Sequence, residues 1–268
     1  MDPPKLTPVV GTLNGEPIPF NSVKSLNSLY RGQVQLHDGT VKSCLLKNIN
    51  RIEIVNELVA NLVACRMGLP TPLAVLTFVP DSFNNKNQFS KSHKVSGGYL
   101  AFASVDAQTP NLLQRLEATH PLGRAIIQTS LSGWSKKSEL YGFDTWVANV
   151  DRHIGNILFG SNNEIWLIDH GRCFTKEDWS PSDLDPNVQY LNKLKLWYTL
   201  FLDSSSRQKT ANELRNVQAE VAKLDIVSLM TDSLASQIID TAEQAALQAF
   251  LTARIGRVAS DGAAALQP

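Results

Sequence analysis

The chain of 268 residues has no surplus charge of either sign, since 25 basic residues balance 25 acidic ones. No global field recruits nucleic acid or an anionic membrane, so recognition has to come from local sites. Long hydrophobic runs are missing too. The longest apolar stretches are too short and too often interrupted to span a bilayer, and Met1-Asp2-Pro3-Pro4 lacks the basic-then-apolar pattern of a signal peptide. These absences predict a cytoplasmic protein. Cysteine is scarce: Cys44, Cys65 and Cys173 are odd in number, widely spaced and without a C-x-x-C pair, which excludes a disulfide framework and a structural zinc site. Internal repeats and low-complexity tracts are also absent. What is present is ordinary for a folded domain, 43% hydrophobic and 19% charged residues, in a length that suits one large domain or two lobes sharing a cleft.

Residues 1–22, rich in Pro and Gly at the start, read as an irregular N-terminal arm. From Ser25 to Lys47 two or three strands are expected, with alternation in Gly32-Gln33-Val34-Gln35-Leu36, a turn at His37-Asp38-Gly39 and a return through Val41 to Leu46. A helix follows. Asn50 and Glu53 match a capping box, Ile52, Val55, Leu58, Val59, Leu62 and Val63 form an apolar stripe, and Gly68 with Pro70 ends it. Glu57 falls nearly opposite that stripe, beside Ala60 and Ala64. Pro72 to Val79 reads as a strand, Asp81 to Lys94 as a surface loop and Tyr99 to Ser104 as another strand. The pattern then turns helical, with helices expected over Glu139 to Val150, Leu191 to Leu202 and Leu234 to Ile255. The fold class is therefore α+β, with a β-rich part over residues 23–105, an α-rich part over 106–256 and a flexible tail over 257–268.

One interruption in the helical part carries chemistry. Asn149-Val-Asp-Arg-His-Ile-Gly-Asn156 is followed by two short apolar segments, Asn156 to Phe159 and Glu164 to Ile168, joined by Gly160-Ser161-Asn162-Asn163, and then by Ile168-Asp169-His170-Gly171. The apolar segments read as a hairpin whose closure gathers Asp151, Asn156 and Asp169. Phosphoryl transfer needs such a set: a carboxylate to orient the attacking hydroxyl, and oxygen ligands that hold Mg²⁺ against phosphates. Asp151 alone would read as a loop acid, and the joint pattern is what sets it apart.

Asp151 precedes Asn156 by five residues and Asp169 follows Asn156 by thirteen, the order and intervals of a kinase catalytic loop followed by a metal-binding D-x-G segment. In these residues the chain resembles the HipA-like kinases, within the wider protein-kinase-like and phosphoinositide-kinase-like superfamily. Asp151-Arg152-His153 with Asn156 is similar to the catalytic loop of phosphoinositide kinases. Val55-Asn56-Glu57-Leu58 through Gly68-Leu69-Pro70-Thr71-Pro72 resembles the first helix of compact HipA-like domains. The resemblance implies a two-lobed protein-kinase-like fold, with a β-rich nucleotide-binding N-lobe and an α-rich catalytic C-lobe, and a kinase that uses ATP and Mg²⁺.

Carried over residue by residue, the resemblance makes Asp151 the catalytic base, His153 a helper in proton transfer or at the transferred phosphate, and Asn156 and Asp169 the Mg²⁺ ligands, Asp169 the principal one. Lys47 resembles the lysine that contacts the α- and β-phosphates, with Glu57 as its partner, and Lys42 in the same strand region is the alternative. Phe102-Ala103-Ser104 resembles the hinge where adenine meets the backbone. No G-x-G-x-x-G is present, which leaves phosphate covering to amides and hydroxyls around Ser25, Asn27 and Ser28. An H-R-D loop and an A-P-E segment are also absent, which argues against an ordinary eukaryotic-type protein kinase.

The implied reaction transfers the ATP γ-phosphate to a protein Ser or Thr hydroxyl, with a protein substrate, a regulatory protein partner, no direct nucleic acid and no membrane. Two other acceptor classes stay open. A phosphoinositide kinase lacks support from a basic membrane-facing cluster, and an aminoglycoside-type kinase is weakened by Asn149 standing where that family has His. A nucleotide-binding pseudokinase acting through a partner is the reading outside catalysis. The plainest alternative for Lys47 and Glu57 is a pair of solvated surface charges.

Overall fold

The computed structural model describes residues 6–20, 28–83, 88–109, 121–160 and 164–266. Its N-terminal part is a closed barrel. β1 (Val9–Leu13) pairs antiparallel with β3 (Leu29–Leu36) and parallel with β5 (Ala74–Pro80). β3 then pairs with β4 (Val41–Lys47), β4 with β7 (Gly98–Val105), and β7 with β5. The short β2 (Ile18–Pro19) extends β3 and β6 (His93–Val95) extends β7. Alternation in β3 turns Tyr30, Val34 and Leu36 inward, where they meet Leu13, Leu46, Val75 and Ala103.

The first 20 residues thus include two strands, which corrects their reading as an irregular arm. Gly11 is the reason the composition misled. A Cβ there would stand 2.6 Å from Val34 Cγ1 and 3.1 Å from Val75 Cγ1, so the glycine lets β1 slot between β3 and β5. The expected surface loop from Asp81 gives way at His93 to β6, and its residues 84–87 lie outside those described.

α1 (Arg51–Arg66) begins where the Asn50 side chain accepts from the Glu53 N–H at 2.9 Å. Every residue from Ile52 to Cys65 is buried, Glu57 and Asn56 included. A one-sided stripe does not describe such a helix, because α1 is packed on all sides: β5 and β7 lie on one flank and C-terminal helices on another. Arg51 grips Glu243 through both guanidinium arms, at 2.7 and 2.6 Å, and Arg66 pairs with Asp232 and donates to Ser228 Oγ at 3.1 Å.

The helical part comprises α2 (Pro121–Gly133), α3 (Lys137–Trp146), the hairpin of β8 (Ile157–Phe159) and β9 (Ile165–Leu167), α4 (Leu194–Phe201), α5 (Ser204–Val221), α6 (Ile226–Asp232), α7 (Thr241–Arg254) and α8 (Arg257–Leu266). α3 stops four residues before the expected Val150. Buried Arg254 donates to the carbonyls of Thr145 at 2.6 Å and Trp146 at 2.9 Å, satisfying that helix end. The expected helix from Leu234 to Ile255 is broken ahead of Asp240, whose carboxylate and Glu243 form a capping box at the start of α7.

Residues 257–268 read as a flexible tail, and this is corrected for residues 257–266, while 267 and 268 lie outside those described. Val258 is fully buried in α8 and Leu266 is 2% exposed. A Cβ on Gly262 would come within 2.6 Å of Leu214 Cδ1, so the small residues serve close helix packing. Among the described residues no helix is long and apolar enough to cross a membrane.

Candidate active site

β4 ends on Lys47, and α1 faces it with Glu57. Lys47 Nζ donates to Glu57 Oε1, and to Asp169 Oδ1 at 2.7 Å. The alternative, Lys42, is exposed and lies an odd number of residues from Lys47 along the strand, which turns it to the other face. Burial opposes the Lys47 charge, but the Asp169 and Glu57 carboxylates outweigh it and raise its pKa. The same ammonium holds the Asp169 carboxyl down to about 2. Burial raises Glu57, while Lys47 and the His170 N–H, 3.0 Å from Oε2, oppose that rise. One cation between two carboxylates leaves the cluster with net negative charge, which suits a further cation.

Asp169 leaves β9 in the left-handed region, at φ 61°, a conformation that Asp tolerates better than most residues. Its side chain is 47% exposed and faces open space. The pairing of Ile157 with Leu167, continued by the Ile168 N–H on the Asn156 carbonyl at 3.1 Å, sets Asn156 beside the start of the Asp169 segment. Asn156 Nδ2 donates to the Asp151 carbonyl at 3.2 Å, which leaves Oδ1 as the atom for a ligand. An Asp carboxylate and an Asn carbonyl match the oxygen preference of Mg²⁺, which takes few protein ligands and keeps water and phosphate for the rest. Among the described residues no group of three or more His, Cys, Asp or Glu side chains forms a cage for a softer metal.

The Asp151 loop is held from beneath. Arg152 is fully buried, with Nε 3.2 Å from Asp144 Oδ2 and other nitrogens on the Ile168 carbonyl at 2.6 Å, the Asn156 carbonyl at 3.3 Å and His170 Nδ1 at 2.8 Å. Its guanidinium therefore fastens the Asp151, Asn156 and Asp169 segments together. His170 accepts with Nδ1, and burial, followed by the neighbouring Arg152 charge, keeps its pKa well below the usual value, so it is a neutral structural ring. His153 is exposed and accepts the Gly155 N–H on Nδ1 at 3.0 Å, which leaves the proton of its neutral form on Nε2.

A family model for HipA-like kinases matches residues 36–230. The chain belongs to the HipA-like kinase family. The match spans Lys47, Glu57, Asp151, Asn156 and Asp169, and membership in a kinase family implies use of ATP. None of the curated proteins matches this HipA-like kinase. Solved structures similar to it include the open conformation of CtTel1 (13% identity, TM-score 0.25, 90% of this chain and 12% of that one) and the FAT and kinase domain of CtTel1 (13%, 0.26, 90% and 22%). The complete CtTel1 dimer with C2 symmetry is a third (13%, 0.26, 90% and 12%). The chain spans less than a quarter of the length of each.

Within this HipA-like kinase the proposed hinge is corrected. Phe102 and Ser104 lie inside β7, which is paired on one side with β4 and on the other with β5, so their backbone groups are committed to the sheet. Phe102 does border the site, since Lys47 Nζ is 5.8 Å from its ring centroid. Ser25 and Asn27 lie outside the described residues. Ser28 is exposed, and its carbonyl accepts the Asn48 N–H at 3.1 Å, at the end of the sheet where Lys47 stands.

Several residues of the site went unread in the sequence. Asn56 donates to the carbonyls of Gly171 at 2.7 Å and Lys176 at 3.0 Å and accepts from Trp179 Nε1 at 2.7 Å, fastening the D-H-G segment to α1. Glu53 sits so close to Gly171 that a Cβ there would lie 2.6 Å from Glu53 Oε1, which explains the glycine of D-H-G. Burial, then the Glu57 charge, pushes the Glu53 carboxyl up to about 7. Lys193 and Arg172 approach Asp151 itself. Polar residues inside the hydrophobic face of α1 were the available signal for Asn56, whereas Lys193 had none.

Proposed function

We propose that this HipA-like kinase is a Mg²⁺- and ATP-dependent phosphotransferase that phosphorylates a Ser or Thr hydroxyl of a protein. The observation that carries the reading is the single Lys47 ammonium bonded both to Glu57 of α1 and to Asp169 after β9, because it ties the barrel to the hairpin that holds the other polar residues. When bound, Mg-ATP supplies the phosphoryl group and a metal that neutralises its charge. Lys47, directed by Glu57, is the group for the α- and β-phosphates. Asp169 and Asn156 Oδ1 are the atoms for the cation. Asp151 orients the acceptor hydroxyl and receives its proton, and His153 offers Nε2–H toward the transferred phosphate. Lys193 and Arg172 beside Asp151 disfavour polycationic acceptors such as aminoglycosides. The unpaired Cys44, Cys65 and Cys173 suit a reducing cytoplasm.

The test supplies purified protein with Mg-ATP carrying a labelled γ-phosphate and offers the chain itself, casein, phosphoinositide vesicles and an aminoglycoside as acceptors. Label is expected on protein. Asp151→Asn should keep Mg-ATP binding and slow transfer by roughly 10²- to 10⁴-fold, while Asp169→Asn should remove the Mg²⁺ dependence of nucleotide binding. A chain that neither binds ATP nor labels any acceptor sinks the proposal, and label on lipid alone would reassign the acceptor.

A further inference from the structure

Two cations stand at the two oxygens of Asp151, and neither belongs to the Asp151–Asn156 loop. Lys193 Nζ is 2.5 Å from Oδ1, and Arg172 Nε is 3.9 Å from Oδ2. Lys193 lies 42 residues beyond Asp151 and stands immediately before the start of α4. Its neighbour Asn192 is buried, donates to the Tyr141 carbonyl at 3.2 Å and to Thr145 Oγ1 at 3.0 Å, and accepts the Leu194 N–H at 3.0 Å. The start of α4 is thereby fixed to α3. The Asp151 side is fixed to the same helix, because its N–H donates to Asn149 Oδ1 at 3.1 Å and Asn149 Nδ2 donates to Asp144 Oδ1 at 2.8 Å. Both ends of the Lys193–Asp151 contact therefore ride on one rigid frame.

The Lys193 and Asp151 side chains are 39% and 25% exposed, and a half-exposed pair of this kind contributes little to stability. Its geometric effect is larger. A carboxylate presents either oxygen unless one is held, and here Lys193 holds Oδ1. Arg172 is beyond hydrogen-bonding distance of Oδ2 and is engaged with Glu177 at 3.0 Å, so Oδ2 stays open.

We infer that Lys193 is the positioning residue of the site, fixing Asp151 through Oδ1 so that Oδ2 receives the acceptor hydroxyl and its proton. This rests on the role proposed above for Asp151. The sequence motif supplies the base, and a residue from a distant helix start chooses which of its oxygens works. Misorientation of a reacting group by a small distance costs rate without weakening nucleotide binding.

The experiment measures label transfer from Mg-ATP to casein and to the chain itself for the wild type, Lys193→Ala, Lys193→Arg, Asp151→Asn and the Asp151→Asn/Lys193→Ala double variant. Calorimetric Mg-ATP binding, melting temperatures and a nucleotide-free crystal structure of Lys193→Ala accompany it. Lys193→Ala is expected to lower kcat roughly 10- to 100-fold, with KM for ATP and Mg-ATP affinity within about twofold and Tm within about 2 °C. Lys193→Arg should recover most of the rate, loss of Lys193 should cost nothing further once Asp151 is Asn, and the Asp151 carboxylate should adopt a second orientation in the crystal. A wild-type kcat in Lys193→Ala, a full loss that persists in the Asp151→Asn background, or an unmoved Asp151 overturns the inference and leaves the phosphotransfer reading standing. A wild-type chain that transfers no phosphate overturns both.

Discussion

Replacing Arg152 with methionine keeps much of the side chain's length while removing its charge and every hydrogen bond it donates. Asp144 would then keep its 2.8 Å bond from Asn149 but lose Arg152, its ion-pair partner, in a place where its side chain has no exposed surface. Removing one partner of a buried pair costs about 3–5 kcal/mol. The Ile168 and Asn156 carbonyls and His170 Nδ1 lose a donor as well, and each such loss adds about 1 kcal/mol or more. A total of about 6–8 kcal/mol is a large share of the roughly 5–15 kcal/mol that holds a domain folded, and it corresponds to a drop in Tm of about 12–30 °C.

The loss should depend on pH. Burial already raises the Asp144 carboxyl against the pull of Arg152, and without Arg152 it rises further. A carboxyl raised in the folded state stabilises most when protonated, at low pH, and loses that contribution as pH climbs through its folded pKa. The deficit of Arg152→Met should therefore be fuller at pH 8 than at pH 5. Urea unfolding followed by tryptophan fluorescence at both pH values measures it. The Asp144→Asn/Arg152→Met double variant, which strands no charge, should regain at least half of the loss. A single variant within about 1 kcal/mol of wild type, or a double variant no more stable than the single, would refute Arg152 as the fastener of the loop.

Glu53→Gln should gain stability on the wild type as pH rises from 5 to 8, because a carboxyl raised to about 7 carries roughly 3 kcal/mol of folded-state penalty once ionised; a difference that is flat across this window in urea titrations would remove Glu53 as the source. Val258→Ala should cost about 2 kcal/mol in the same assay, whereas a fraying terminus would register almost nothing.

The parts of the site that were legible are those whose geometry is local. Asp151, Asn156 and Asp169 are joined by one hairpin, so sequence spacing was enough to bring them together, and the strand ending at Lys47 leads straight into the helix that bears Glu57. Strand alternation, applied to β4, would also have separated Lys47 from Lys42. Illegible were contacts made by the packing of distant elements. Lys193 reaches Asp151 across 42 residues, and Asn56 reaches Gly171 across 115. Composition misleads where small residues serve close approach: Gly11 in β1 and Gly262 in α8 lie in segments that read as irregular or flexible, yet each lets a neighbour come close. The apolar run through Phe102 reads as a strand, but nothing in it shows that neighbours flank it on both sides.

A drug chemist would notice what α1 forbids. Helix rotation that withdraws the glutamate from the lysine would have to part Arg51 from Glu243, Arg66 from Asp232 and Asn56 from Gly171 together, and bare a helix buried from Ile52 to Cys65. Compounds that wedge behind a displaced helix would have no vacancy to enter. A ligand or partner that acted by dismantling the Lys47–Glu57 pair would have to break all of these contacts at once.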